Sequence, residues 1–146
     1  GNHFHFLIRT KSEQEILKEL SSKKPIHQVI SLQYSHLFNS YTQSINRQAE
    51  RTGGLFETPF RRKPVRSDSY LSQLIYYIHF NPQKHGLCDD FRHYPYSSYS
   101  AHLIQKATRL SRTQVLDWFG GPEMYRQFHD VNSDSTIISD LIIEFD

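Results

Sequence analysis

Two histidines flank one phenylalanine near the start of the chain: in HFHFLI, His3 and His5 sit two positions apart in an apolar run. In a strand, alternate residues share a face. Both imidazoles would then project the same way, about 7 Å apart, with Phe4 and Phe6 turned to the other side. That geometry suits two imidazoles gripping one metal ion, although an ordinary half-exposed strand carries the same pattern. A second candidate lies in SYLSQLIYYIHF, whose Leu71, Leu74, Ile75 and Ile78 make a helical core stripe. Tyr77 and Asn81 stand one turn apart on a strip flanking that stripe. Tyr76 faces away from Asn81, and Tyr70 lies about 16 Å further down the axis. Only Tyr77 can cooperate with Asn81.

A tyrosine at the rim of a packed helix is ordinarily structural, with its ring covering the core and its hydroxyl wet. Set beside the histidine pair it permits a sharper reading. Two imidazoles and one amide oxygen would hold a divalent cation next to a phenol. The cation would act as a Lewis acid on a phosphodiester while the phenolate attacks phosphorus. A phenol with pKa near 10 needs a cation or base to remove its proton. A mixed imidazole and oxygen set with open positions suits Mg²⁺ or Mn²⁺, while imidazoles alone would also accept Zn²⁺, Co²⁺ or Ni²⁺.

A third feature is charge. Arg47, Arg51, Arg61, Arg62, Lys63 and Arg66 face only Glu50 and Glu57 in the same stretch. Such a basic strip fits phosphate contact, and solvated charge runs produce the same pattern.

The elements that must position these residues can be read in turn. Residues 3–9 read as a strand already under way. Ser12 and Glu15 have capping-box spacing before EQEILKEL, a helix that Lys23-Lys24-Pro25 ends. Residues 26–50 predict a longer helix, closed at Thr52-Gly53-Gly54 by a left-handed glycine. Pro59 and Pro64 keep the following segment out of helix. Ser67 or Ser69 caps the helix bearing Tyr77, and Asn81-Pro82 is expected to terminate it. Two more helical pieces are expected around 98–107 and 111–130, followed by an apolar patch, TIISDLIIEF, of open role.

The 146 residues fit a globular chain with its own core, at 37% hydrophobic and mean hydropathy −0.62. No stretch is apolar over the length a bilayer requires, and no secretory leader is visible, so no membrane partner is expected. Cys88 is the sole cysteine, which fits a reducing cytoplasmic setting. The formal charge of +2 alone identifies no polyanionic partner. Nine histidines and 14% aromatics point towards metal or base-stacking chemistry.

These residues resemble a known family. NHFHFLIR is similar to the His-hydrophobic-His signature of the HUH single-strand transposases. YTQSINRQAERTGGLFETPFRRKPV, YLSQLIYYIHFNPQKHGL and YPYSSY resemble the branch of REP-associated tyrosine, or IS200-like, transposases. The likeness runs from residue 2 to about 100 and continues more weakly through LDWFGGPEMYRQFHD. It implies a transposase domain over 1–100 and a helical C-terminal extension over 101–146. The implied fold is a ferredoxin-like α+β sandwich, an antiparallel sheet carrying the histidines with the tyrosine helix across one face. The family has a strand and helix before its histidine strand, which this sequence lacks. A histidine strand left with one unpaired side would invite a homodimer through strand or element exchange.

The resemblance implies a site too. His3 and His5, with Asn81, would bind Mg²⁺ or Mn²⁺, and Tyr77 would be the nucleophile. The implied reaction is cleavage of single-stranded, hairpin-bearing DNA through a 5′-phosphotyrosyl link, followed by strand transfer, in the nucleoid of a bacterial cytoplasm. Arg47, Arg51, Arg61, Arg62, Lys63, Arg66, Lys84 and His85 would contact phosphates, and Phe60 would stack on unpaired bases. Two other readings stand beside this one. The chain could be a non-catalytic DNA-binding remnant, or a metal-dependent hydrolase in which water attacks and Tyr77 only packs. His27, His36, His79, His93, His102 and His129 are read as structural or surface residues.

Overall fold

Ser12 starts the first helix. Its hydroxyl accepts from the Glu15 amide at 3.4 Å, while the Glu15 carboxylate accepts from the Ser12 amide at 2.9 Å. This reciprocal cap opens α1, Glu13–Leu20. The computed structural model describes residues 4–56 and 60–131. Its remaining helices are α2 (Ile26–Gln48), α3 (Asp68–Lys84), α4 (Tyr99–Leu103), α5 (Arg112–Phe119) and α6 (Pro122–Val131), with a 3₁₀ turn at Phe91–His93.

Among the described residues there is no β-strand, and this overturns the expected ferredoxin-like α+β sandwich. A strand is maintained by a neighbour that completes its ladder of N–H and C=O groups. No second strand lies among the described residues to build that ladder with residues 4–11, which are irregular. Regular structure among the described residues is helical. The apolar patch TIISDLIIEF and His3 lie outside the described residues.

Three helix ends differ from expectation. α2 stops before the glycine pair: Arg51 N–H donates to Asn46 O at 3.0 Å, and the left-handed residue in between is Glu50, at φ 49°. A side chain there costs about 1–2 kcal/mol relative to right-handed backbone. α3 does not end at Asn81-Pro82 but runs through both. The buried ring of Pro82 joins the core side of the helix. The last carbonyls are met from beyond, with Leu87 N–H donating to Pro82 O at 2.8 Å and His85 N–H to Asn81 O at 3.0 Å. Gly86, at φ 67°, makes that closure. The expected helix over 111–130 is broken by Gly120 and Gly121, at φ 82° and 113°. Pro122 then opens α6, where its missing N–H costs nothing.

The chain divides into two compact units. The smaller, Ile8–Lys63, holds α1 packed against α2, with Val29 its one buried hydrophobic residue among those described. The larger combines Gly1–Leu7 with Pro64–Asp146. In it Ile75, Tyr76, Tyr77, Phe80, Phe91, Tyr99 and Tyr125 form one buried cluster drawn from α3, the 3₁₀ turn, α4 and α6. Trp118 of α5 donates its indole N–H to Ser72 of α3 at 3.0 Å. Arg92 ties the 3₁₀ turn to α6, reaching Asp90 at 3.0 Å and Asp130 at 2.9 Å. The two units differ in charge. The smaller carries ten Lys and Arg against five Asp and Glu, an excess of five positive charges. The larger has seven against ten, an excess of three negative charges.

Candidate functional site

The helix that carries Tyr77 is buried on nearly every side from Ile75 to Pro82. Tyr76 is fully enclosed, packed against Phe80 with ring centres 5.6 Å apart and against Phe91 at 6.0 Å. The stripe read from the sequence takes a lesser part: Leu71, Leu74 and Ile78 are only partly buried. Because α3 continues through Pro82, Asn81 keeps helical backbone and stands one turn beyond Tyr77.

His5 meets Tyr77 edge to face, with ring centres 5.5 Å apart and planes at 68°. The alternation expected of HFHF survives without a sheet. Phe4 and Phe6 turn outward, exposed at 48% and 66%, with rings 4.7 Å apart, while His5 between them is half-buried. Lys84 places its ammonium 5.8 Å from the centre of the Tyr77 ring, a cation–π contact. Tyr77 itself is 3% exposed.

Asn81 is 8% exposed, and its Nδ2 is buried with no hydrogen-bond partner among the described residues. A buried carboxamide with one end unmatched calls for an explanation. Turned about its terminal bond, the same amide would put its carbonyl oxygen, a hard ligand, in that place. His5 and Asn81 are of donor types that a hard divalent cation would accept, one imidazole and one amide oxygen. Among the described residues no group of three His, Cys, Asp or Glu side chains is placed to hold a metal.

The remaining candidates fall on both units. In the larger, Arg66 and His85 are exposed. In the smaller, Arg51 donates from Nη2 to Gly54 O at 3.2 Å, and Arg62 donates from Nη2 to His27 O at 3.2 Å. Each spends one of five guanidinium N–H groups on its own backbone, which fixes the direction of the others. Arg47, Arg61 and Lys63 are exposed. Phe60 packs edge-on against Phe38 and Tyr34, with centres 5.4 and 5.5 Å away.

Sequence reading missed what anchors the helix. His129 Nδ1–H donates to the Tyr125 carbonyl at 2.8 Å, and a carbonyl can only accept. In the neutral ring Nε2 is then an acceptor, so His79 Nδ1–H donates to it, at 2.9 Å. His79 Nε2 in turn accepts from the Ser98 hydroxyl at 2.8 Å. One acceptor-only carbonyl thus fixes both tautomers. Burial holds His79 well below the usual imidazole range, helped by the neighbouring His129 and His102. Burial also lowers His129 to about 4, and lowers His102. The chain of bonds joins α3 to the residue before α4 and to α6, and so fixes how α3 is turned about its axis. Ser98 belongs to the YPYSSY stretch, but no spacing rule pairs it with histidines 19 and 31 residues away on either side.

These are the features of a helical unit with a phenol and a carboxamide one turn apart on one buried helix, and an imidazole from the chain's start set against the phenol ring. The chain is 34% identical over 79 residues to a Haemophilus influenzae protein named "Putative REP-associated tyrosine transposase". That likeness covers 54% of this chain and 42% of the relative, so the chain matches less than half the relative's length. No protein-family profile matches the sequence, and no solved structure matches it. Among the described residues, no helix is long and apolar enough to cross a membrane.

Proposed function

We propose that this chain is part of a tyrosine transposase, which cuts single-stranded DNA and transfers the strand through a 5′-phosphotyrosine on Tyr77. The observation that carries the reading is the meeting of His5 with Tyr77 at 5.5 Å, with Asn81 one turn further along the same helix. The partial likeness to a relative of that name supports it.

His3, His5 and Asn81 would hold the divalent cation, Mg²⁺ or Mn²⁺. Bound there, it supplies Lewis-acid activation of the phosphodiester. Tyr77 provides the nucleophilic oxygen. Its attack forms the tyrosyl O–P bond and breaks the P–O3′ bond, leaving a free 3′-hydroxyl on the departing strand. A 3′-hydroxyl later attacks the same phosphorus and releases the phenol, so the phosphodiester energy is kept and no nucleotide cofactor is consumed. Lys84 places a positive charge beside the Tyr77 ring. The His79–Ser98–His129 bonds hold α3 so that Tyr77 and Asn81 share one direction. Tyr77 is 3% exposed, so its hydroxyl would reach a phosphodiester only after local movement around it. Arg61, Arg62, Lys63, Arg66, Lys84 and His85, with Arg47 and Arg51, would bear on the phosphates of a hairpin-forming strand, and Phe60 on its bases.

The test is incubation with end-labelled, hairpin-bearing single-stranded DNA and Mn²⁺, followed by denaturing electrophoresis. A covalent protein–DNA adduct, lost in Tyr77→Phe and in the presence of EDTA, is the expected result. Cleavage without any adduct would instead indicate attack by water, and binding without cleavage an inactive remnant.

A further inference from the structure

The smaller unit holds a row of aromatic rings that its fold does not enclose. Tyr34, Phe38 and Tyr41 lie at i, i+4 and i+7 on α2, one stripe about 10 Å long. Beyond the Gly53-Gly54 turn, Phe56 and Phe60 lie along that stripe. Phe56 meets Tyr41 at 6.0 Å and Phe38 at 5.0 Å, and Phe60 meets Phe38 at 5.4 Å and Tyr34 at 5.5 Å. Arg62 then reaches His27, near the start of the same helix. The five rings alternate between helix and following chain as one continuous ladder.

None of the five is buried, and Tyr41, at the end of the row, is 53% exposed. A ladder serving only as a core would be covered, as the clustered rings of Tyr76, Phe91 and Tyr125 are. Positive charge stands at both ends. Arg51 is tied to Gly54 beside the Phe56 end, and Arg61, Arg62 and Lys63 follow Phe60 at the other. The unit as a whole has an excess of five positive charges. Flat aromatic faces between fixed cations match one kind of ligand well: a flexible polyanion whose monomers each carry a π-face. An acidic peptide would satisfy the cations but leave the rings unused.

From this we infer that Ile8–Lys63 is a single-strand docking module, with Tyr41 and Phe56 forming a platform on which an unpaired DNA base stacks. The assignment deepens the transposase reading and rests on it for the choice of DNA. Arg51 beside the platform and Arg62 at the far end of the row, both already held by backbone carbonyls, serve as pre-aimed phosphate donors. The role of Tyr41 is contact with the ligand only.

The test is fluorescence anisotropy of a labelled oligothymidylate with the full chain in EDTA, where no metal-dependent cleavage can occur. Tyr41→Ala should weaken binding roughly 5- to 100-fold, the range that loss of one stacked base gives. Tyr41→Trp should restore it, and Tyr41→Leu, apolar but without a π-face, should not. Circular dichroism should show the same helix content in all three, since the ring is more than half exposed. Unchanged binding by Tyr41→Ala, or full binding by Tyr41→Leu, overturns the platform. Tighter binding of an oligouridylate of equal length overturns the choice of DNA. Adduct formation in Mn²⁺ is scored separately on the parent protein. Loss of binding in Tyr41→Ala from a protein that never forms a phosphotyrosyl adduct would therefore uphold the platform while refuting the nucleophile.

Discussion

The two compact units use the same residue types to opposite ends. In the core cluster of the larger, aromatic rings are enclosed: Tyr76, Phe91 and Tyr125 are at 0% exposure, and two fully or nearly buried histidines are linked by hydrogen bonds with fixed direction. In the smaller, five rings pack on one another in a row that solvent still reaches, and the surrounding charge is positive rather than negative. Ring–ring contact is common to both, so it does not by itself tell core from ligand surface. Enclosure and the sign of the local charge do. The larger unit is built to hold Tyr77 and Asn81 in one orientation, while the smaller is built to leave faces open.

The sharpest way to break this contrast is to cut out a ring from each unit. Phe91→Ala should cost about 3–5 kcal/mol, because a large enclosed ring leaves a cavity. Tyr41→Ala should stay within about 0.5 kcal/mol of the parent. Urea denaturation of both variants measures the difference, and equal losses would mean the ladder is a core after all.

The contrast should show next in pH. His129 is neutral in the folded chain with a pKa of about 4, against 6.5 when exposed, because burial disfavours the imidazolium. Between those values the unfolded chain binds more protons, so stability is complete above about pH 6.5 and falls as pH approaches 4. The loss reaches about 3 kcal/mol, at about 1.4 kcal/mol per pH unit. Urea midpoints taken from pH 7 to 4 should slope accordingly, and the slope should shrink in His129→Gln. Hydrogen exchange should place the weakening in α3 and α6 and not in α1 or α2.

The smallest effect belongs to the smaller unit. Glu50 holds left-handed backbone at φ 49°, where glycine carries no side-chain penalty. Glu50→Gly should raise stability by about 0.5–1 kcal/mol, seen as slower amide exchange in the last turn of α2. A loss instead would mean that the carboxylate makes a contact worth more than the strain.

Local signals in the sequence were read well where the chemistry was local. The Ser12–Glu15 cap forms as its spacing requires, and Ser67 caps α3. Proline and glycine were harder to place. Pro82 stands inside a helix it was expected to stop, because closure by Gly86 and burial of the ring offset the lost amide. Gly53 was expected to close α2, and Glu50 does so. The sheet is what the family likeness implies, while alternation argues only for a strand at residues 3–9; that alternation persists around His5 in irregular backbone, since side-chain direction does not require a ladder. The pairing of His5 with Tyr77 matches residues that the sequence singled out. The bonds from His79 to Ser98 and His129 depend on contacts across α3, α4 and α6, which no single window contains.

Pro82 has one more consequence. Lacking an amide hydrogen, it brings no rung to the Ile78 carbonyl, and that gap falls within the turn that separates phenol from carboxamide. The pitch of this turn is therefore splinted from outside, by the bonds that His85, Gly86 and Leu87 return to Asn81, Gln83 and Pro82. The reach between the two side chains is set by a glycine bend that touches neither of them. A side chain grafted onto Gly86 would strain the bend at φ 67° and detune that reach, with no atom of the site replaced.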